Sequence, residues 1–339
     1  MAVPTAGQYT VIIPCHNKEG TIAEVLESVF KQTKKPFEVI VIDDASTDNS
    51  LKILEKFGDK ITLIANKANI GKAASINRAL DFVGTPYTLI LDADTVLDKA
   101  FAHEALRGFY KESVQGVSGL ILPKNISSSA QKSRLLEYLV SPQSKKVQLK
   151  LGGIWTLSGC SMMWRTKFLR EHKIPTDTVV EDMDVSWLAQ SVKNDENEYM
   201  RLGFNPNAIS YTEDPESFKE YTSQIHRWYS VKDVLENRFK HVSKGLKAIV
   251  IWTLIESLLP LIGLGAMTYL AITGQLSLLM LAIGLDLAIS TSLALYLSSK
   301  YKVKYAKKTA LKSIPHYYVH RFINSFMFWK ALIRPKKKW

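Results

Sequence analysis

The sequence predicts an α/β domain with a mainly parallel sheet, followed by a C-terminal transmembrane helical hairpin and an interfacial helix. Three observations predict it. From Tyr9 to about Leu122, short apolar runs alternate with stretches of helical spacing, the pattern of βαβ units. Acidic residues gather where the apolar runs stop, the carboxyl ends of strands at which open α/β sheets bind ligands. Ala248–Ile272 and Leu276–Leu297 are 25 and 22 residues of nearly uncharged chain, each long enough to cross a hydrocarbon core of ~30 Å as a helix.

Taken in order, the expected strands are Tyr9–Pro14, Phe37–Asp43, Ile61–Ala65, Tyr87–Asp92 and Gly116–Leu122. Helical patterns fill Glu19–Gln32, Thr47–Phe57 and Gly71–Val83, the first with Ile22, Val25, Leu26, Val29 and Phe30 on one face. Beyond Leu122 the reading is less regular. It gives an amphipathic helix near Gln131–Lys150, a strand over Trp155–Trp164, and helices near Asp182–Ser191 and Pro215–Phe239. The domain division follows: residues 1–240 as the sheet domain, 248–297 as two transmembrane helices, and 298–339 as a basic tail. Within that tail, aromatic-rich Pro315–Ile333 is broken by His316, His320, Arg321, Asn324 and Lys330, which suits a helix in the headgroup region.

The charge is unevenly placed. Of 339 residues, the first 297 carry 32 Lys/Arg against 32 Asp/Glu, and the last 42 carry 12 Lys/Arg with no acid, so the formal +12 is a tail property. A nucleic-acid binder carries its positive charge on the folded face that meets phosphates, so nucleic acid is not expected as a partner. A basic segment beside a hydrophobic span reads instead as a cytosolic membrane flank. Lys240, Lys244 and Lys247 precede the hairpin, and Lys300, Lys302, Lys304, Lys307 and Lys308 follow it. Both ends, and with them the first domain, are expected on the cytoplasmic face of the bilayer. Met1–Tyr9 has neither the charged nor the apolar region of a signal peptide, and Cys15 and Cys160 form no metal or disulfide pattern.

Four groups of residues carry chemistry. The first is the strand Val11-Ile12-Ile13 with Pro14, Asn17 and Glu19 at its end, followed by the turn Asp43-Asp44-Ala45-Ser46-Thr47-Asp48. A carboxylate there accepts from a ribose or a base edge, and the same residues also suit helix N-caps. A single glycine between Pro14 and Gly20 excludes a dinucleotide fingerprint. The second is Asp92-Ala93-Asp94, whose alternation places two carboxylates on one side of an extended chain. That spacing suits a hard divalent cation which also needs substrate phosphates. The third is Glu181-Asp182-Met183-Asp184, acids that complement a helix dipole and include Asp182 as candidate general base. The fourth is Gln224-Ile225-His226-Arg227-Trp228, which sets a hydrogen bonder, a cation and an aromatic plate on one helix face. Lys72, at a helix N-terminus after Gly71, is placed to meet a phosphate.

In their order and approximate spacing these groups resemble the inverting family 2 glycosyltransferases. The membrane branch is the nearest likeness, with cellulose, chitin, hyaluronan and poly-N-acetylglucosamine synthases and ceramide glucosyltransferases. The resemblance covers residues 9–230 by motif and implies a GT-A fold using a UDP-sugar. It implies that Asp44 contacts the nucleoside, Asp92 the donor nucleotide, and that Asp94 ligates Mg²⁺ or Mn²⁺ at the diphosphate. It makes Asp182 the base, in Val-Glu-Asp where the family often has Thr-Glu-Asp. Arg227 would pair with diphosphate, while Gln224 and Trp228 would lie on the acceptor side.

Two helices do not enclose a polysaccharide channel unaided. The expected acceptor is therefore a membrane lipid or lipid-linked glycan, with processive synthesis of a growing glycan, in a homo-oligomer, as the alternative. A non-catalytic nucleotide-sugar sensor and a soluble transferase with an apolar tail are the competing classes. Glu256 and Asp286 are costly inside a bilayer and therefore candidate functional groups.

Overall fold

The computed structural model describes residues 8–300, with the side chain of Lys300 excepted, and 307–336. The readings made on Met1–Gly7, on Lys302 and Lys304, and on the last three residues lie outside the described residues. The chain divides into two compact units. The first comprises residues 1–122, 145–213 and 233–249, and the second 123–144, 214–232 and 250–339.

The first unit opens with β1 (Tyr9–Cys15), α1 (Ile22–Phe30), β2 (Glu38–Asp43), α2 (Ser50–Glu55), β3 (Thr62–Ala65), α3 (Lys72–Ala79) and β4 (Tyr87–Leu91). All were expected, and β1 pairs in parallel with both β2 and β4 while β2 pairs with β3. Alternation along β1 explains the burial of both sheet faces. Val11 and Ile13 enter the core under α1, α2 and α4 (Phe101–Arg107), whereas Ile12 enters the core under α3.

The rest of the sheet is less regular: β5 (Thr95–Leu97), β6 (Val114–Pro123), β7 (Ser161–Arg165) and β8 (Arg201–Thr212). The order is β3-β2-β1-β4-β7-β6-β8-β5, and β4–β7, β6–β7 and β5–β8 pair antiparallel. The expectation of a parallel sheet holds for β1 to β4, and the sheet as a whole is mixed. The helices α6 (Thr166–His172) and α7 (Glu181–Ala189) complete this unit, together with parts of α5 (Ser129–Leu151), α9 (Lys232–Arg238) and α10 (Lys244–Ile272).

The second unit holds α8 (Phe218–Trp228), the start of α5, most of α10, α11 (Leu276–Lys300) and α12 (Lys307–Ile333). The helix expected over Pro215–Phe239 is therefore two helices, α8 and α9, parted at Tyr229–Val231. Among the described residues, α10 and α11 are the two helices long and apolar enough to cross a membrane. They join at Gly274, whose φ of 70° is the left-handed C-cap conformation that favours glycine, and Gln275 N–H closes the turn on Leu270 O at 2.9 Å. Trp252, Ile262, Leu281 and Ile289 are exposed along them, a surface suited to lipid. Leu135 and Leu139 of α5, Ala294 and Leu297 of α11, and Ala310 and Ile314 of α12 form one apolar cluster. Asp286 of α11 is paired: Arg321 of α12 lies 3.0 Å away. Glu256 is on the exposed side of α10.

Candidate active site

Within the first unit the acidic strand ends converge, though several act differently from the sequence reading. Asn17 and Glu19 brace two loops. Asn17 Oδ1 accepts from Thr47 N–H at 2.8 Å, and Glu19 Oε2 accepts from Asn49 N–H at 2.9 Å. Pro14 lies inside β1 opposite Ile42. Asp44 is 3% exposed, and its carboxylate accepts from Ile70 N–H, Gly71 N–H and Asn66 Nδ2 at 2.7–2.9 Å. Those bonds fix the start of α3, where Gly71 has a φ of 87° that a side chain would strain.

Lys72 follows directly, and its position is the centre of the site. Its Nζ lies 2.7 Å from Asp92 Oδ1, 3.3 Å from Glu181 Oε1 and 3.4 Å from Gly159 O. Burial works against the ammonium, but Asp92 and Glu181 more than offset that and hold it above the ordinary lysine value. Burial also raises Asp92, against the pull of Lys72. Asp94 pairs separately with Lys18 at 2.6 Å. The two aspartates do not sit on an extended strand as alternation suggested. β4 ends at Leu91, and Thr95 N–H closes a turn on Asp92 O at 3.1 Å. Each carboxylate thereby meets its own lysine.

Asp182 begins α7. Its Oδ2 accepts from Gly159 N–H at 2.9 Å and its Oδ1 from Met183 N–H at 2.8 Å, which fixes the carboxylate at a helix N-terminus. Glu181 turns to Lys72, whereas Asp184 is bound to Arg238 Nε at 2.7 Å and acts in packing. Lys145 is buried nearby, donating to Thr156 O at 3.1 Å and facing the Phe204 ring at 5.5 Å. Burial pushes it down to about 8, against the opposing influence of Cys160 and Asp182.

Among the described residues no three acidic, histidine or cysteine side chains form a ready-made cation site. Asp92 and Asp94 alone fit a hard cation that draws its other ligands from phosphate oxygens and water. Lys18, Gly159 and Glu181 were not singled out as site residues from the sequence. Lys18 and Glu181 carried the available signal, since each lies inside a group already read as functional.

In the second unit, α8 buries Tyr221 and Ile225 and carries Gln224, Arg227 and Trp228. Gln224 Oε1 is buried with no hydrogen-bond partner among the described residues. Trp228 lies under the Arg134 guanidinium at 4.8 Å from its ring centre. Arg134 is ion-paired with Asp214, to which Tyr138 also donates at 2.8 Å. Arg134 and Tyr138 of α5 are invisible as a motif because the residues they meet, Asp214 and Trp228, are far away in sequence.

A mixed sheet in this strand order, with acid–lysine pairs at its strand ends, is a GT-A-like glycosyltransferase fold. Residues 10–173 match the glycosyl transferase family 2, so this stretch of the chain carries a domain of that family. It is 28% identical over 222 residues to the poly-β-1,6-N-acetyl-D-glucosamine synthase of Staphylococcus epidermidis, covering 64% of this chain and 52% of that one. Against the corresponding synthase of Staphylococcus aureus strain MSSA476 it is 26% identical over 224 residues, covering 65% and 53%. The chain thus spans about half the length of these relatives. In fold it is similar to a mannosyltransferase from Pyrobaculum calidifontis, whose structure holds GDP-Man and Mn²⁺. The TM-score is 0.61 at 18% identity, over 98% of this chain and 88% of that one.

Proposed function

We propose that the protein transfers a sugar from a UDP-sugar to a hydroxyl of a membrane-held acceptor, by single displacement with inversion and with Asp182 as general base. One observation carries the reading. Lys72 joins Asp92, at the turn suited to the donor diphosphate, to Glu181 and Gly159, the immediate neighbours of Asp182. Two backbone N–H groups hold the Asp182 carboxylate in one orientation, as a general base requires.

In the proposed reaction the acceptor oxygen bonds to the anomeric carbon as the bond from that carbon to the diphosphate breaks. UDP leaves with the electron pair, and the acceptor proton passes to Asp182. Asp92 and Asp94 would hold Mg²⁺ or Mn²⁺, which neutralises charge on the leaving diphosphate. Lys18 and Lys72 supply further positive charge on the same side. Asp44 acts by setting the start of α3 beside the nucleotide, and Pro14, Asn17 and Glu19 shape the loop against it. The roles of Arg227 at the diphosphate and of Gln224 and Trp228 at the acceptor rest on the motif resemblance.

Elongation of an N-acetylhexosamine glycan is the acceptor reading with most support, because the relatives of known name are poly-N-acetylglucosamine synthases. Transfer to a lipid is the second reading, favoured by the small number of apolar spans. Membranes incubated with labelled UDP-sugars separate them. EDTA-sensitive label in polymer supports elongation, label in solvent-extractable lipid supports the second reading, and no label from any donor refutes both. Asp182→Asn should abolish transfer while UDP and Mn²⁺ still bind. Near wild-type turnover would remove Asp182 as the base.

A further inference from the structure

Helix α8 has a face that none of these roles uses. Lys219, Thr222, Ser223 and His226 lie at i, i+3, i+4 and i+7, away from buried Tyr221 and Ile225 and from Gln224 and Arg227. They form one wall of a groove of about 570 Å³, whose other wall is α12, with Phe322, Phe326 and Lys330. Lys336 closes one end, where its Nζ donates to Ser223 O at 3.1 Å and to Ser223 Oγ at 3.0 Å. His226 Nε2 is 2.8 Å from Arg334 O, which holds the following chain in place.

Among the described residues, three ammonium groups and two hydroxyls line the groove, and no carboxylate does. Beside them runs an apolar strip in which Phe326 is 62% exposed. Cations next to exposed aromatic surface fit a molecule that is anionic at one end and apolar at the other. The placement agrees, because α12 is packed along α11, the second apolar span, through Ala310, Ile314 and Arg321.

We propose that this groove binds the phosphate headgroup of an anionic phospholipid, with the start of an acyl chain along Phe322 and Phe326. It rests on reading α10 and α11 as membrane spans, and that reading is tested separately by whether detergent, and not high salt, releases the chain from membranes.

The experiment uses the full chain reconstituted in phosphatidylcholine with 20 mol% phosphatidylglycerol, extracted gently and examined by native mass spectrometry for retained lipid. The wild type should retain phosphatidylglycerol in preference to phosphatidylcholine. Replacing Lys219, Lys330 and Lys336 together by Gln should lower that retention by about tenfold or more. Replacing the exposed Lys307, Lys308 and Lys312 by Gln removes equal charge from the start of α12 and should leave retention unchanged. Phe326→Ser, at an exposed side chain, should weaken it without altering charge. Equal losses in both lysine sets would overturn the proposal in favour of general attraction, as would unselective retention or a copy of the chain held in place of lipid.

Discussion

Gly159→Ala should slow transfer without weakening donor binding. A Cβ at Gly159 would stand 3.0 Å from both Cβ and Oδ2 of Asp182, and 3.2 Å from its Cγ. Ordinary contact begins near 3.4 Å, so the aspartate must retreat by about 0.4 Å. Gly159 N–H is also the donor that holds Asp182 Oδ2 at 2.9 Å, so the carboxylate cannot move without lengthening that bond. A displacement of ~1 Å at a reacting group costs about 10²-fold, so about half of that should lower kcat by roughly tenfold. Lys72 meets Gly159 through its carbonyl oxygen, which a Cβ leaves in place. KM for the UDP-sugar should therefore change by less than about twofold. The assay is initial-rate transfer across a donor series, with unfolding midpoints to confirm an intact fold. An unchanged kcat, or a loss confined to KM, would refute the claim that the position of Asp182 is set by this glycine.

Four further outcomes are expected. Gly119→Ala places a Cβ 1.8 Å from Ala208 O on the neighbouring strand, and backbone cannot yield cheaply, so denaturant unfolding should show a loss of about 3 kcal/mol or more. Lys145 is held down at about 8 in the fold and takes up its proton at the ordinary lysine value once unfolded. Stability should therefore rise with pH between about 8 and 10, by on the order of 2 kcal/mol, and Lys145→Met should flatten that rise in melting curves. Arg134→Met should reduce transfer several-fold, and the same change made in a Trp228→Ala background should add little, since the guanidinium acts through that ring. Lys18→Met frees Asp94 from an ion pair at 2.6 Å between partly exposed groups, so Mn²⁺ affinity in the absence of donor, read by electron paramagnetic resonance, should rise about two- to fivefold.

The first half of the sheet was legible because β1, β2 and β4 are short apolar runs buried on both faces, and polar residues follow each of them, Asn17, Asp44 and Asp92. The two long apolar helices α10 and α11 were legible for a similar reason, since composition alone separates them from the rest. Trp155–Trp164 was not, and the cause is physical. Its apolar pattern reads as a strand, but Ile154 N–H is taken by Gln190 Oε1, Trp155 N–H by Gln148 Oε1, and Leu157 N–H by Ser186 Oγ. With the backbone satisfied by side chains from α5 and α7, only Ser161–Arg165 is left to form β7. β8 escaped notice because Asn205-Pro206-Asn207 looks like a turn, although the structure carries it through as one strand. Asp92, Asp94, Asp182 and Lys72 could be singled out because each lies in a short local pattern, whereas the Arg134–Asp214 pair, whose members are far apart in sequence, could not.

The two lysines at the acidic turn bear on how the site meets a highly charged donor. Asp92 and Asp94 are not open carboxylates, because Lys72 and Lys18 already neutralise them one for one. Two bare aspartates would repel a diphosphate until a cation had bound, whereas here the lysines cancel the charge of that pair, and Glu181 beside Lys72 is an acid left over. On the proposed function, Lys18 and Lys72 exchange carboxylate oxygens for phosphate oxygens as the aspartates turn to the divalent cation, so that each charge keeps an opposite partner. Lys72 is the less free of the two, since Glu181 and Gly159 O remain beside it when Asp92 is released. Lys18 has no second acid within ion-pair distance among the described residues and is the more exposed, so it is the one whose removal should be felt first in metal affinity.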